Sequence, residues 1–228
     1  MAVALLAPSL ALAPAAASEN FLTHGVELGV LSPYSLHKID ALLDTEVSSG
    51  NIAGALLLIQ SGGKPVYMRG FGFRDPQTLA PMKPDAIFRL YSMTKPVTSV
   101  AAMMLIEDGK LALDDPVGKF IPAFATMKVG VERTRPDGSR WLDLVPADRP
   151  ITILDLMRQS SGITSAFNDL GLITDQFLKS DLFFGDFDNR QSVERLAKLP
   201  LAYQPETVWD YGHSTDVLGR VIEVVTGM

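Results

Sequence analysis

Apolar and polar positions along the chain follow two periods in turn. Leu36, Ile39, Leu42, Leu43 and Val47 recur at the three-and-four spacing of a helix that Ser35 can cap and Gly50 can end. Ala53 to Gln60 and Val66 to Phe73 read instead as two strands joined by a tight Gly62-Gly63 turn. Gly70 and Gly72 within the second strand point to a bend or a close backbone approach. Val97, Val100, Ala101, Met104 and Leu105 then fall on one helical face, the face expected to be buried. Pro96 stands in that helix's first turn, where a missing N–H costs nothing, and Gly109 is placed to end it. Met127 to Leu144 reads as a second hairpin around Pro136-Asp137-Gly138, and Thr152 caps a short helix through Met157. Residues 164 to 189 are aromatic and weakly periodic. Helical spacing returns at Asn189 to Lys198 and at Thr215 to Val225, the latter closed by Gly227. One clear core hairpin accompanies all these helices; a two-stranded sheet is marginal by itself, so the helices call for a wider sheet to pack on.

Composition narrows the class. The 228 residues, 47% of them hydrophobic, suffice for one sizeable core with a smaller lobe. A net charge of -6 argues against a nucleic-acid partner, which needs clustered Lys and Arg. The basic run Arg133 to Arg140 is interrupted by Pro136, Asp137 and Gly138 and reads as a hairpin. The chain has no cysteine, which excludes disulfides, thiolate metal ligation and cysteine nucleophiles. His24, His37 and His213 lack metal-ligand spacing, and neither a metal nor an organic cofactor is implied. Residues 2 to 17 are apolar and end in the small-residue pattern Ala15-Ala16-Ala17, without Lys or Arg at the start. They are too short, and too broken by Pro8 and Pro14, for stable membrane insertion. Residues 1 to 17 are therefore a signal peptide or a disordered leader. The first implies a periplasmic or secreted protein, the second leaves it cytoplasmic.

Several chemistries are missing from the sequence: it has no G-x-S-x-G elbow, no Walker loop and no dinucleotide-binding glycine fingerprint. Asp114-Asp115 precedes Pro116 and reads as a turn cap. S-x-x-K occurs at Ser35/Lys38, Ser61/Lys64 and Ser92/Lys95. The first lies on an exposed helix start and the second straddles the diglycine turn. Only Ser92 opens a hydrophobic helix able to hold both groups in a partly dry site. Residues three apart on a helix lie on nearly one face, so the Lys95 ammonium can reach the Ser92 hydroxyl. A serine needs a base to become a nucleophile, and a lysine serves only when burial or nearby cations favour its neutral form. The helix N-terminus also supplies the Ser92 N–H as half of an oxyanion hole.

Two later segments, LDLMRQSSGI (Leu154 to Ile163) and WDYGHSTDVLG (Trp209 to Gly219), add to FRLYSMTKP around Ser92 and LALDDPVGKFIP from Leu111 to Pro122. In this order they resemble the landmarks of the serine β-lactamase and penicillin-binding-protein superfamily over residues 35 to 228. The likeness is greatest to class C β-lactamases and the related family VIII carboxylesterases. The resemblance implies an α+β fold, an α/β sandwich with an antiparallel sheet and a helical lobe, of the β-lactamase/transpeptidase kind. Residues 18 to 228 would form one incomplete domain, with the sheet hairpin and nucleophile helix in 21 to 110 and a mainly helical lobe in 111 to 228.

The resemblance also implies roles. Ser92 is the acylated serine and Lys95 shares its proton. Tyr211 matches the tyrosine of Y-x-N, a base in acylation and an acid toward the leaving group; the alternative is an aromatic packing a helix start. Lys95 nearby would help Tyr211 ionise. His213 replaces the asparagine of that motif, which touches the substrate amide in the lactamases. This weakens lactam hydrolysis more than ester hydrolysis, and His213 either bonds a substrate carbonyl or caps the last helix. Gln159-Ser160-Ser161-Gly162 replaces the usual HTSG, which makes Gln159 a substrate-binding candidate. Glu206 takes the place of a turn glycine and strains that turn if its φ is positive. The late-strand K-T-G motif is missing; Val225-Thr226-Gly227 mimics it but ends a helix. With that strand go the sheet's later strands and the second oxyanion N–H, so the chain reads as C-terminally truncated. Phe167, Phe177, Phe183, Phe184 and Phe187 supply either an apolar wall for substrate or core packing. The implied activity is cleavage of carboxylic esters through an acyl-enzyme. The alternatives are a β-lactamase or D-alanyl-D-alanine carboxypeptidase, again acting on a small molecule, and a catalytically silent fragment.

Overall fold

The computed structural model describes residues 19–22, 31–182 and 185–228. The leader at residues 1 to 17, and Phe183 and Phe184, lie outside them. The chain forms two compact units, Met1–Arg89 and Leu90–Met228.

In the first unit, helix α1 (Pro33–Ser48) and strands β1 (Glu19–Leu22), β2 (Gly54–Ser61), β3 (Lys64–Asp75) and β4 (Ala80–Pro81) build a four-stranded antiparallel sheet flanked by a helix. The sheet order is β1-β3-β2, with β4 paired to β3. The Gly62-Gly63 turn joins β2 to β3 with φ of 56° and 74°, the two left-handed positions that a two-residue hairpin loop requires. Gly72 also has a positive φ, and a Cβ there would stand 2.7 Å from a Val47 methyl of α1, so the helix approaches the strand directly. Asp40 and Asp44 of α1 reach β3: Asp40 accepts from the Tyr67 hydroxyl and pairs with Arg69 at 2.6 Å, and Asp44 pairs with Arg69 at 3.1 Å. Burial and the neighbouring Asp40 carboxylate push the Tyr67 phenol up to about 12.

Two expectations change here. The helix begins at Pro33, with Ser32 in the N-cap position but making no side-chain capping bond, and Ser35 lies inside its first turn. The sheet also holds β1 and β4 besides the expected hairpin. Four and two residues long, these edge strands are too short for a periodicity signal and are defined by their pairing to β3.

The second unit opens with a 3₁₀ turn, Tyr91–Met93, that leads into α2 (Thr94–Glu107). Strands β5 (Lys128–Thr134) and β6 (Arg140–Pro146) form a hairpin closed by Gly138 at φ 81°. Helices α3 (Ile153–Met157), α4 (Leu172–Lys179), α5 (Asn189–Leu196) and α6 (Ser214–Thr226) complete it. The core gathers Ile153, Leu156, Val193, Leu201, Val217 and Leu218 around α6, each at most 1% exposed. Burying one such side chain contributes about 1.5–3 kcal/mol. Thr152 and Asp155 form a capping box at the start of α3, and Gly109 and Gly227, both in the left-handed region, terminate α2 and α6.

Helix α2 belongs to this unit, whereas the sequence grouped it with the first hairpin. Its buried face also differs from the one expected: Ala102 and Leu105 enter the core, while Val97, Val100 and Met104 are exposed. The helix is apolar on all sides, so periodicity alone could not choose a face; packing against α6 does. Helix α4 appears within the aromatic stretch where no element was expected. No helix among the described residues is long and apolar enough to cross a membrane.

Candidate active site

Ser92 lies in the 3₁₀ turn before α2, which begins two residues later at Thr94 and not at Ser92 as expected. Tyr91, immediately before it, has φ 48°, a costly conformation for an aromatic residue and one that clusters at functional sites. Ser92 is exposed and Lys95 half-buried, so the serine opens onto solvent and not into the partly dry pocket expected. Both line a cleft of about 530 Å³ together with Tyr211, His213, Asp216, Asn189 and Ser165. Phe167, Leu182, Phe187, Val193 and Leu196 give the same cleft an apolar side.

Tyr211 brings the chemistry together. Its side chain shares the cleft with Ser92 and Lys95, and the Lys95 ammonium lies over its ring, 4.7 Å from the centre. Ser92 and then Lys95 favour the ionised phenol and pull it below its ordinary value, against a smaller upward push from burial. A hydroxyl, a phenol inclined to ionise and an ammonium at one point can pass a proton out of the serine and back.

His213 occupies the N-cap position of α6, yet its side chain makes no capping bond, so the cap alternative fails. The ring lines the cleft; its Nδ1 pairs with Asp216 Oδ2 at 3.2 Å, and it lies nearly parallel to the buried Phe177 ring at 6.3 Å. Of the aromatic stretch, then, Phe167 and Phe187 border the cleft and Phe177 joins the core.

Gln159 corrects the sequence reading. It is 8% exposed and is not among the residues lining the cleft. Its amide faces inward, donating to Thr215 Oγ1 at 2.9 Å and accepting from the Gly212 N–H at 3.2 Å, so both ends are spent on the protein. Glu206 does have the positive φ suspected, at 75°.

Sequence reasoning missed Asn168, Asp210 and Asp216. Asn168 donates to Asp210 Oδ1 at 2.6 Å, to Thr164 Oγ1 at 3.0 Å and to the Tyr211 carbonyl at 3.1 Å. Burial pushes the Asp210 carboxyl up, partly offset by a hydrogen bond with Thr164. Asp216, one helical turn after His213, was within reach of an i,i+3 argument; Asn168 had no local signal.

A family model described as beta-lactamase matches residues 39–228, and the chain belongs to that family. Esterase EstB of Burkholderia gladioli is 33% identical over 192 residues, covering 83% of this chain and 45% of that protein. Lovastatin esterase of Penicillium rubens is 32% identical over 192 residues, covering 83% and 47%. Among solved structures, unliganded simvastatin synthase (LovD) from Aspergillus terreus superposes with a TM-score of 0.68 at 27% identity, covering 86% of this chain and 50% of that one. EstCE1, a hydrolase with promiscuous acyltransferase activity, gives 0.65 at 29%, covering 85% and 48%. The fold is thus the mixed helix and antiparallel-sheet architecture of the β-lactamase/transpeptidase superfamily. The chain spans about half the length of the curated relatives it matches.

Proposed function

We propose that the protein hydrolyses carboxylic esters of small molecules through an acyl-enzyme on Ser92. The observation that carries this is the meeting of Ser92, Lys95 and Tyr211 in one half-apolar cleft, with the Lys95 ammonium 4.7 Å from the centre of the Tyr211 ring. Tyr211, in its phenolate form, takes the Ser92 proton as Oγ attacks the ester carbonyl carbon. The tetrahedral intermediate collapses, the C–O bond to the alcohol breaks, and Tyr211 returns the proton to the departing oxygen. Water then repeats the sequence on the acyl-serine, releasing a carboxylic acid and restoring Ser92. Lys95 keeps Tyr211 ionisable by its positive charge, and the Ser92 N–H, in the 3₁₀ turn that leads into α2, serves as one oxyanion donor. Ester rather than lactam substrates are favoured by His213, which replaces the amide-contacting asparagine of the lactamases, and by the esterases among the relatives. His213, held by Asp216, is assigned to the substrate carbonyl side of the cleft. The apolar leader ending at Ala15-Ala16-Ala17 supports export.

Ser92→Ala in the full-length protein tests the reading. Turnover of a short-chain p-nitrophenyl ester should vanish, along with covalent labelling by a fluorophosphonate. Retained turnover sinks the assignment, and a chromogenic cephalosporin cleaved faster than the ester would move it to the lactamases.

A further inference from the structure

We infer that Gln159 is the positioning residue of Tyr211, fastening the loop from Asp210 to His213 from within so that the phenol stands on Ser92 and Lys95. The inference rests on the roles proposed for those three residues.

One residue makes three bonds that bracket the tyrosine. The Gln159 carbonyl accepts from the Asp210 N–H at 2.8 Å, its side-chain oxygen from the Gly212 N–H at 3.2 Å, and its side-chain nitrogen donates to Thr215 Oγ1 at 2.9 Å. They fall on the residue before Tyr211, the residue after it, and the first turn of α6. A glutamine used in this way has little freedom, since its amide is buried and both ends are satisfied. Its backbone sits at φ 57°, a region that glycine occupies at no cost and glutamine does not. Glycine would relieve that strain and lose the amide; the amide bonds account for a strained glutamine at this position.

The loop is also held from its other side. Asn168 donates to the Tyr211 carbonyl, and a Cβ on Gly212 would stand 2.6 Å from the Ile163 carbonyl oxygen, so the backbone cannot slide in that direction. Tyr211 is 41% exposed, and its ring meets Trp209 at 6.3 Å and the Lys95 ammonium at 4.7 Å, so burial alone does not fix the phenol. The loop bonds from Gln159 and Asn168 set where its backbone stands. Its depressed titration comes from Ser92 and Lys95, whose hold on the ionised phenol weakens steeply with distance. The charged groups facing it are Lys95 from α2 and Asp216 from α6, with His213 beside them in the cleft.

Gln159→Leu keeps the bulk and removes both side-chain bonds. In full-length protein labelled with ¹³Cζ-tyrosine, the Tyr211 resonance, assigned with Tyr211→Phe, should titrate at higher pH than in wild type. The acid limb of kcat/KM should move the same way, and kcat should fall about 100-fold, as expected for a misplacement near 1 Å, with KM changed far less. A folded Gln159→Leu protein whose Tyr211 titration and acid limb both stay in place overturns the inference. If that variant fails to fold, Thr215→Val, which removes only the Thr215 hydroxyl, decides it: a smaller upward movement supports the inference and none overturns it. The two readings fail separately. A Ser92→Ala protein that still hydrolyses esters removes the proposed function, while the tyrosine titration still reports on Gln159 without any turnover.

Discussion

Asp155 is the buried charge on which the loop under the site depends. It is 2% exposed, and its oxygens accept from both Arg149 Nη atoms at 2.8 and 2.7 Å, from the Thr152 N–H at 2.8 Å and from the Thr152 hydroxyl at 2.8 Å. It closes the capping box of α3, four residues before Gln159. Asp155→Ala strands Arg149, a loss of about 3–5 kcal/mol when one member of a buried pair is removed. Arg149 is 31% exposed and keeps Glu206 at 3.1 Å, which favours the lower end. The N-cap bond from the residue 155 N–H to Thr152 Oγ1 survives, but the Thr152 N–H loses its acceptor, adding about 1 kcal/mol and giving a total of about 4 kcal/mol. Urea denaturation of the full-length protein at pH 7 measures this, and Arg149→Met/Asp155→Leu should recover a substantial part by removing both charges. Burial opposes ionisation of Asp155, but the bonds from Arg149 and Thr152 prevail and hold the carboxyl below its usual range. Its contribution is therefore present above the unfolded carboxylate value of about 3.9 and disappears as the pH falls through the lower folded value. Wild type and Asp155→Ala should converge in acid. A loss under about 1 kcal/mol at pH 7, or strictly additive effects of the two single variants, would refute the reasoning.

Two other perturbations test the electrostatics of the cleft. Lys95→Met removes the cation that lowers the Tyr211 phenol, so the acid limb of kcat/KM should shift to higher pH and the rate at pH 7 should drop by about 10²–10⁴-fold; an unmoved limb contradicts the proton route. Asp210→Asn should stabilise the protein at pH 7, because the buried carboxyl, with its folded value raised, costs stability once the pH exceeds its unfolded value. The gain should shrink towards zero by about pH 4; an equal gain at both pH values argues for packing instead of charge.

Local chemistry was legible in the sequence wherever a few neighbouring residues settle the backbone. Gly62-Gly63, the hairpin at Pro136-Asp137-Gly138, the Thr152 cap and the helix stops at Gly109 and Gly227 all stand as read, since each depends on φ preferences or hydrogen bonds spanning four residues at most. Ser92 and Lys95 could be paired as candidates for the same reason, being three residues apart, and both line one cleft. Tertiary structure decided what distance in sequence conceals. It chose which face of an all-round apolar α2 is buried, joined β1 to β3, and turned Gln159 from the cleft to the interior, where the Gly212 N–H and Thr215 hydroxyl await an amide. Asn168 was invisible beforehand because two of its three acceptors, Asp210 and the Tyr211 carbonyl, are far away in sequence, and only folding brings the carbonyl within 3.1 Å. Periodicity and motifs specify elements and candidate groups, whereas the partner of a buried polar atom is fixed by the requirement that it find a hydrogen bond wherever the packed chain places one.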